Sequence, residues 1–319
     1  ALTRAWVARL MRYSSPRPCM TRETVVRDNP SWLAIFFMVC AIRIDDRACQ
    51  VNMQVLTWVS NACPRWRSES AVLPGPLKEY TVKRSYINSL IIEAAAFFRN
   101  HAFHLPAWSG WDLVEWKANA VACSEIFKCS LGWDITDFSS GDFMRRGLVL
   151  FTLRNGDPAG AGKSYAEKIM MARENQETPF HFHWNKMEDI INRGGGTLVF
   201  ELHQADENGG FRDAPFTIQV DGVTTDVKPG RPLCLAPGQS LCLEPGLYHR
   251  FYAKAGSGPV LCGEVSMVND DQADNRFKES IGRFPGIVED EPPIRLMVGD
   301  YRSLLDVSKG LRGASRSRR

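Results

Sequence analysis

Apolar positions recur along this chain in two periods, and the change falls near Gly147. Before it, in "YINSLIIEAAAFFRN" (86–100), Ile87, Leu90, Ile91, Ala94, Ala95 and Phe98 stand three and four residues apart. That spacing predicts one amphipathic helix. The stretch "WDLVEWKANAVACSEIF" (111–127) predicts a second. After Gly147 the apolar residues come in short runs closed by Gly and Pro: "GLVLFTLR", "AEKIMMAR", "FHFHW", "TLVFEL", "FTIQVDG", "PLCLAPG", "SLCLEPG", "HRFYAKAG" and "VLCGEVSMV". Closely spaced strands with such turns predict an antiparallel barrel or sandwich. Residues 1–81 show neither period, and no internal repeat is found.

Composition changes this picture in two places. The 319 residues are 44% hydrophobic, ordinary for a globular protein, and the net charge is +3. That charge is uneven: residues 1–81 carry 11 Lys+Arg against 6 Asp+Glu, and 308–319 carry 5 basic residues and no acid, leaving 23 basic and 30 acidic residues in 82–307. A nucleic-acid footprint would be a basic patch on the folded domain, so this distribution excludes it as a partner. The expected organisation is an atypical N-terminal extension over 1–81, read as an early start assignment with a small accessory domain as the rival. A functional domain over 82–307 follows, helical in 82–130 and a barrel over about 147–270, with a basic disordered tail at 308–319. The nine cysteines contain no C-x2-C pair and predict reduced thiols in a cytoplasmic protein; Cys234, Cys242 and Cys262, in apolar runs, read as small core residues. The longest apolar run, "WLAIFFMVCAI" (32–42), is short of the ~20 residues that span a bilayer, so no membrane partner is expected.

Candidate chemistry concentrates in "PFHFHWNKMEDIINRGGG" (179–196). Two of the chain's six histidines stand at i and i+2 there, so an extended backbone aims His181 and His183 into one space and turns Phe180, Phe182 and Trp184 away. A lone His-x-His is more often a pair of ordinary core or surface histidines. Here Glu188 follows where a turn can return its carboxylate to the same space, and Gly194-Gly195-Gly196 permits a tight hairpin before "TLVFEL". Downstream, Pro245-Gly246 suits the centre of a type II turn, and His249 opens the next strand.

H-x-H-x4-E-x6-G followed by P-G-x2-H resembles the paired motifs of the cupin superfamily. That resemblance implies a cupin-type antiparallel β-barrel, jelly-roll-like, with flanking N-terminal helices, in which His181, His183, Glu188 and His249 hold a divalent metal. The flanks "LGWDITDF", "LFTLRNG", "YAEKIMMARENQ", "GEVSMVNDDQADNRF" and "EDEP" are similar to one cupin family, the bacterial D-lyxose ketol-isomerases, from about Val82 to Tyr301. This implies an enzyme interconverting D-lyxose and D-xylulose, often also D-mannose and D-fructose, as a homodimer. It implies manganese, while the N3O donor set also suits Co2+, Fe2+, Ni2+ or Zn2+. Isomerisation needs a base and an oxygen-polarising group outside the ligand set. Lys168 and Glu264 are charged residues in apolar strands, catalytic if they face inward and ordinary surface positions if outward. Glu264 is the first choice for the base, Lys168 for the polariser, and the two roles are exchangeable. Among Asp270, Asp271 and Asp274, Asp271 is favoured. The same ligand set also occurs in cupin oxidases and dioxygenases, and a non-catalytic sugar-binding cupin is a third reading.

Overall fold

The structure is a computed structural model that describes residues 81–305 apart from 161, 272, 280 and 282–285. The extension expected over 1–81, Thr81 excepted, and the basic tail at 308–319 lie outside the described residues. A short strand, β1 (Thr81–Lys83), is followed by three α-helices, α1 (Arg84–Asn100), α2 (Leu113–Asn119) and α3 (Ser124–Lys128). The strands continue as β2 (Gly132–Thr136), β3 (Leu148–Arg154), β4 (Tyr165–Ala172), β5 (His181–His183), β6 (Glu188–Gly195) and β7 (Leu198–Ala205). Next come β8 (Phe211–Arg212), β9 (Phe216–Val220), β10 (Val223–Val227), β11 (Leu233–Leu235) and β12 (Ser240–Leu243). β13 (Leu247–Ala253), β14 (Val260–Met267), β15 (Asn275–Phe277), β16 (Gly286–Val288) and α4 (Tyr301–Leu304) complete them.

Two antiparallel sheets face each other. The larger runs β10-β9-β12-β6-β14-β4-β3-β2, the smaller β11-β7-β13-β5-β15, with β8 beside β7. From β4 onward the chain alternates between them, apart from the β7–β8 and β9–β10 excursions, which gives the expected jelly-roll-like architecture. Met170, Ile190, Leu241 and Cys262 of the larger sheet pack against Leu198, Phe200, Leu202 and Phe251 of the smaller. The outer face of the larger sheet buries the predicted stripe of α1, whose Ile87, Leu90, Ile91, Ala94 and Phe98 meet Trp133, Phe151, Ile169, Met171 and Leu261.

Four local expectations are corrected. Gly194–Gly196 do not close a hairpin, because β6 and β7 lie in different sheets. The glycines form a corner instead: Gly195 has φ +88° and an added Cβ would stand 2.3 Å from the Pro259 carbonyl oxygen. The predicted second helix is broken after Asn119, whose side chain donates to the Glu115 carbonyl, and Val114 and Val121 are exposed, so no continuous apolar face supports it. The larger sheet takes its first strand from Gly132–Thr136, ahead of Gly147. Of the three strand cysteines, Cys262 is buried, Cys242 half-buried and Cys234 exposed, since strand alternation turns Cys234 outward from Leu235.

Candidate active site

The site is built by cross-strand pairing within each of the two facing sheets. In the smaller sheet His249 of β13 lies directly opposite His181 of β5, and His183 follows on the same face. The turn Glu244–Leu247 that admits β13 has Gly246 at φ +80° and a Leu247 N–H to Glu244 carbonyl bond of 3.2 Å, as the type II reading requires. In the larger sheet Lys168 of β4 pairs with Glu264 of β14, and Ser266, two residues on, pairs with Glu188 of β6. The three imidazoles therefore come from one sheet, and Lys168, Glu188 and Glu264 from the other. Four residues separate His183 from Glu188, and the turn 184–187 that they form crosses from sheet to sheet, so the turn that returns the carboxylate precedes it.

The ligating nitrogens of His181, His183 and His249 lie within 4.8 Å of one another. His181 Nδ1 is 2.9 Å from the Pro179 carbonyl and His249 Nδ1 3.0 Å from that of Leu247. A carbonyl only accepts, so both Nδ1 atoms carry a proton and Nε2 is the nitrogen each ring has left for the site. Glu188 Oε1 lies 3.2 Å from His183 Nε2 and 3.3 Å from His249 Nε2. Among the described residues neither ring nitrogen of buried His183 has a hydrogen-bond partner, Nε2 facing Glu188 outside hydrogen-bond geometry. Burial and the neighbouring imidazoles push His181 well below its ordinary pKa, and burial lowers His183 against the pull of Glu188. Three imidazoles within reach of one another, one of them a buried ring without a hydrogen-bond partner, could hold a divalent cation, and Glu188 faces two of them.

Beside this cluster runs a ladder of alternating charge. Lys168 Nζ is 3.2 Å from Glu264 Oε1, Lys186 Nζ is 3.0 Å from the same oxygen, and Lys186 Nζ is 2.6 Å from Glu188 Oε2. Asn269 Oδ1 accepts from Lys168 at 2.8 Å and from Lys186 at 3.3 Å, and the Ser266 hydroxyl donates to Glu264 at 2.9 Å. Burial alone would raise both carboxylates, but Lys186 holds Glu188 well below its usual range, and Lys168 with Lys186 lowers Glu264. Burial opposes the charge on Lys186, yet Glu188 and Glu264 outweigh it and raise its pKa.

Lys168, His181, His183, Glu188, His249, Glu264 and Asp271 all line one cavity of about 170 Å³. Sequence reasoning missed Lys186, Asn269 and Ser266. Lys186 lies in the metal motif itself, but the crossing turn breaks the alternation by which its direction would be read.

Residues 82–301 match the model of a family described as D-lyxose isomerase. The chain belongs to that family. It is 47% identical over 223 residues to the D-lyxose/D-mannose isomerase of Serratia proteamaculans, covering 69% of this chain and 98% of that one. The D-lyxose/D-mannose isomerase of Escherichia coli O157:H7 is also 47% identical, over 224 residues, covering 69% and 99%. The L-ribose isomerase of Cellulomonas parahominis, solved with L-ribose, aligns at 16% identity and TM-score 0.42 over 66% of this chain and 100% of that one. By its family and these curated relatives the chain is a sugar isomerase. No helix among the described residues is long and apolar enough to cross a membrane.

Proposed function

We propose that this isomerase interconverts D-lyxose and D-xylulose, and D-mannose and D-fructose, by moving a proton between C1 and C2 through an enediol-type intermediate. The observation that carries the reading is that the imidazole cluster and the Lys168–Glu264–Lys186 ladder open into one cavity. The relatives named D-lyxose/D-mannose isomerase support the choice of sugars. His181, His183, Glu188 and His249 would hold a divalent cation, Mn2+ by family expectation with Co2+, Fe2+, Ni2+ or Zn2+ as alternatives, which supplies a Lewis acid for the sugar carbonyl.

Glu264 takes the carbon-bound proton. Its lowered pKa keeps it ionised at neutral pH, so it accepts without first losing a proton. Two ammonium groups on that carboxylate weaken it as a base. A sugar oxygen that draws Lys168 toward itself relieves part of this, so polarisation of the oxygen and activation of the base are coupled. Lys186 keeps the buried pair of carboxylates from facing each other uncompensated. Asp271, at the cavity wall, serves the oxygen-side proton relay.

Incubating Mn2+-loaded protein with a panel of pentoses and hexoses in D2O without oxygen tests the reading. Aldose–ketose exchange with deuterium at C2 is expected for D-lyxose first and D-mannose second. No exchange across the panel overturns the isomerase reading for these sugars; exchange without deuterium spares the isomerase and leaves a shielded proton or a hydride shift to carry the hydrogen. The family resemblance also supports a homodimer, which sedimentation velocity measures directly.

A further inference from the structure

The turn 184–187 decides where Lys186 and Glu188 point, and a distant residue holds it. Asn185 donates to Asp274 Oδ1 twice, from its backbone N–H at 2.8 Å and its side-chain Nδ2 at 3.0 Å. The Lys186 N–H donates to Asp274 Oδ2 at 3.0 Å, and the Trp184 N–H to the Asp274 backbone carbonyl at 3.0 Å. Asp274 is 7% exposed, and the next residue, Asn275, pairs with His183 across β15 and β5. On its other side the turn is tied to β14, where the Met267 N–H donates to the Met187 carbonyl at 3.0 Å.

We propose that Asp274 is a positioning residue for the metal-ligand turn: its carboxylate, engaged on both oxygens, holds 184–187 in the conformation that delivers Lys186 and Glu188 to the imidazole cluster. All three partners of the carboxylate are donors, so the site requires an acceptor on each oxygen. Asparagine at 274 would turn an NH2 group toward an N–H and lose one of the two anchors. The sequence singles out Asp271 from this loop of acids; the hydrogen bonds single out Asp274. The inference rests on the reading of the site as a metal-dependent isomerase.

Three variants test it: Asp274→Asn; Asn185→Ala, at an exposed position whose side chain is one of the three donors; and Asp300→Asn, which disturbs a buried acid paired with Arg84 away from the turn. Mn2+ affinity is read by calorimetric titration, backbone order by amide exchange in 184–187, and kcat and KM at saturating Mn2+. Asp274→Asn should weaken Mn2+ binding roughly 10–100-fold, speed exchange in the turn, and lower kcat more than it raises KM. Asn185→Ala should do the same to a smaller degree and decides the matter if Asp274→Asn does not fold. Asp300→Asn should lower the melting temperature while leaving Mn2+ affinity and turn exchange unchanged. Mn2+ affinity and exchange within about twofold of wild type in Asn185→Ala and in any folded Asp274→Asn would overturn the inference. If wild-type protein binds Mn2+ but turns over no sugar while the variants still shift affinity and exchange, the isomerase reading fails and the positioning role stands.

Discussion

Glu188 is the residue on which the two sheets meet chemically. One of its oxygens faces His183 and His249 and the other takes the Lys186 ammonium. Glu188→Gln keeps the shape and removes the charge that offsets Lys186 and would offset a bound cation. Elemental analysis of this variant, and of His183→Ala, should find metal content far below that of wild type; full occupancy in either would remove that residue from the ligand set. Glu264 makes a different prediction because it touches no imidazole. Glu264→Gln should retain metal and lose roughly 10²–10⁴-fold in kcat, the usual size of a lost proton-transfer group. Both glutamates and the three histidines were legible in the sequence, four of them from motif spacing and Glu264 as a charge in an apolar strand. Lys186 was not, because residues in a crossing turn obey neither helical nor strand periodicity.

At the scale of the element, the corner after β6 carries the sharpest constraint. Gly195 combines φ +88° with a backbone oxygen 2.3 Å from where a Cβ would stand, whereas Gly238, at φ +95°, has open space around that point. Gly238→Ala should therefore cost only the conformational penalty, about 1–3 kcal/mol, and Gly195→Ala distinctly more, because the β6–β7 corner must move as well. Chemical denaturation of the two variants measures the difference. Equal midpoints would mean that the corner relaxes freely. The start of α1 is similarly specific: Lys83 supplies no cap, and Asp290, from the "EDEP" segment, accepts from the Ser85 N–H at 2.9 Å and hydroxyl at 2.7 Å. That role for a sequence motif was not legible, since the capping residue stands some two hundred positions from the helix it caps.

At the scale of the whole molecule, the buried titratable groups set the pH dependence of stability. His181 and His183 have folded pKa values below 6.5, and Glu188 and Glu264 below 4.5. In each case the unfolded chain binds more protons as pH falls below the ordinary value, so folding stability falls with it. The melting temperature of metal-free protein should decline from about pH 6.5 downward as the histidine contribution is lost, and further below about pH 4.5 as the carboxylate contribution follows. A scan from pH 8 to pH 4 that rises toward acid would contradict the assigned directions. The relatives from Serratia and Escherichia are covered almost completely by 69% of this chain. A chain beginning at Pro76 should therefore keep the melting temperature and turnover of the full one; insolubility or loss of turnover would make the earlier residues part of the working domain.

The sequence by itself determined the class of elements and the chemical inventory. Period-2 apolar runs closed by Gly and Pro specify strands, a 3.6-residue stripe specifies α1, and paired motifs place three imidazoles and a carboxylate in order. These are local properties, set by alternation of side chains and by backbone freedom within a few residues. Only the tertiary structure decided which strands exchange sheets, that Lys168 and Glu264 face inward as a pair, that Lys186 joins them, and that Asp274 holds the turn. Each of those depends on contacts between residues far apart in the chain, made when two sheets close over one core. Alternation within a strand fixes which side chains share a face, but the packing of the other sheet decides which face is the inside.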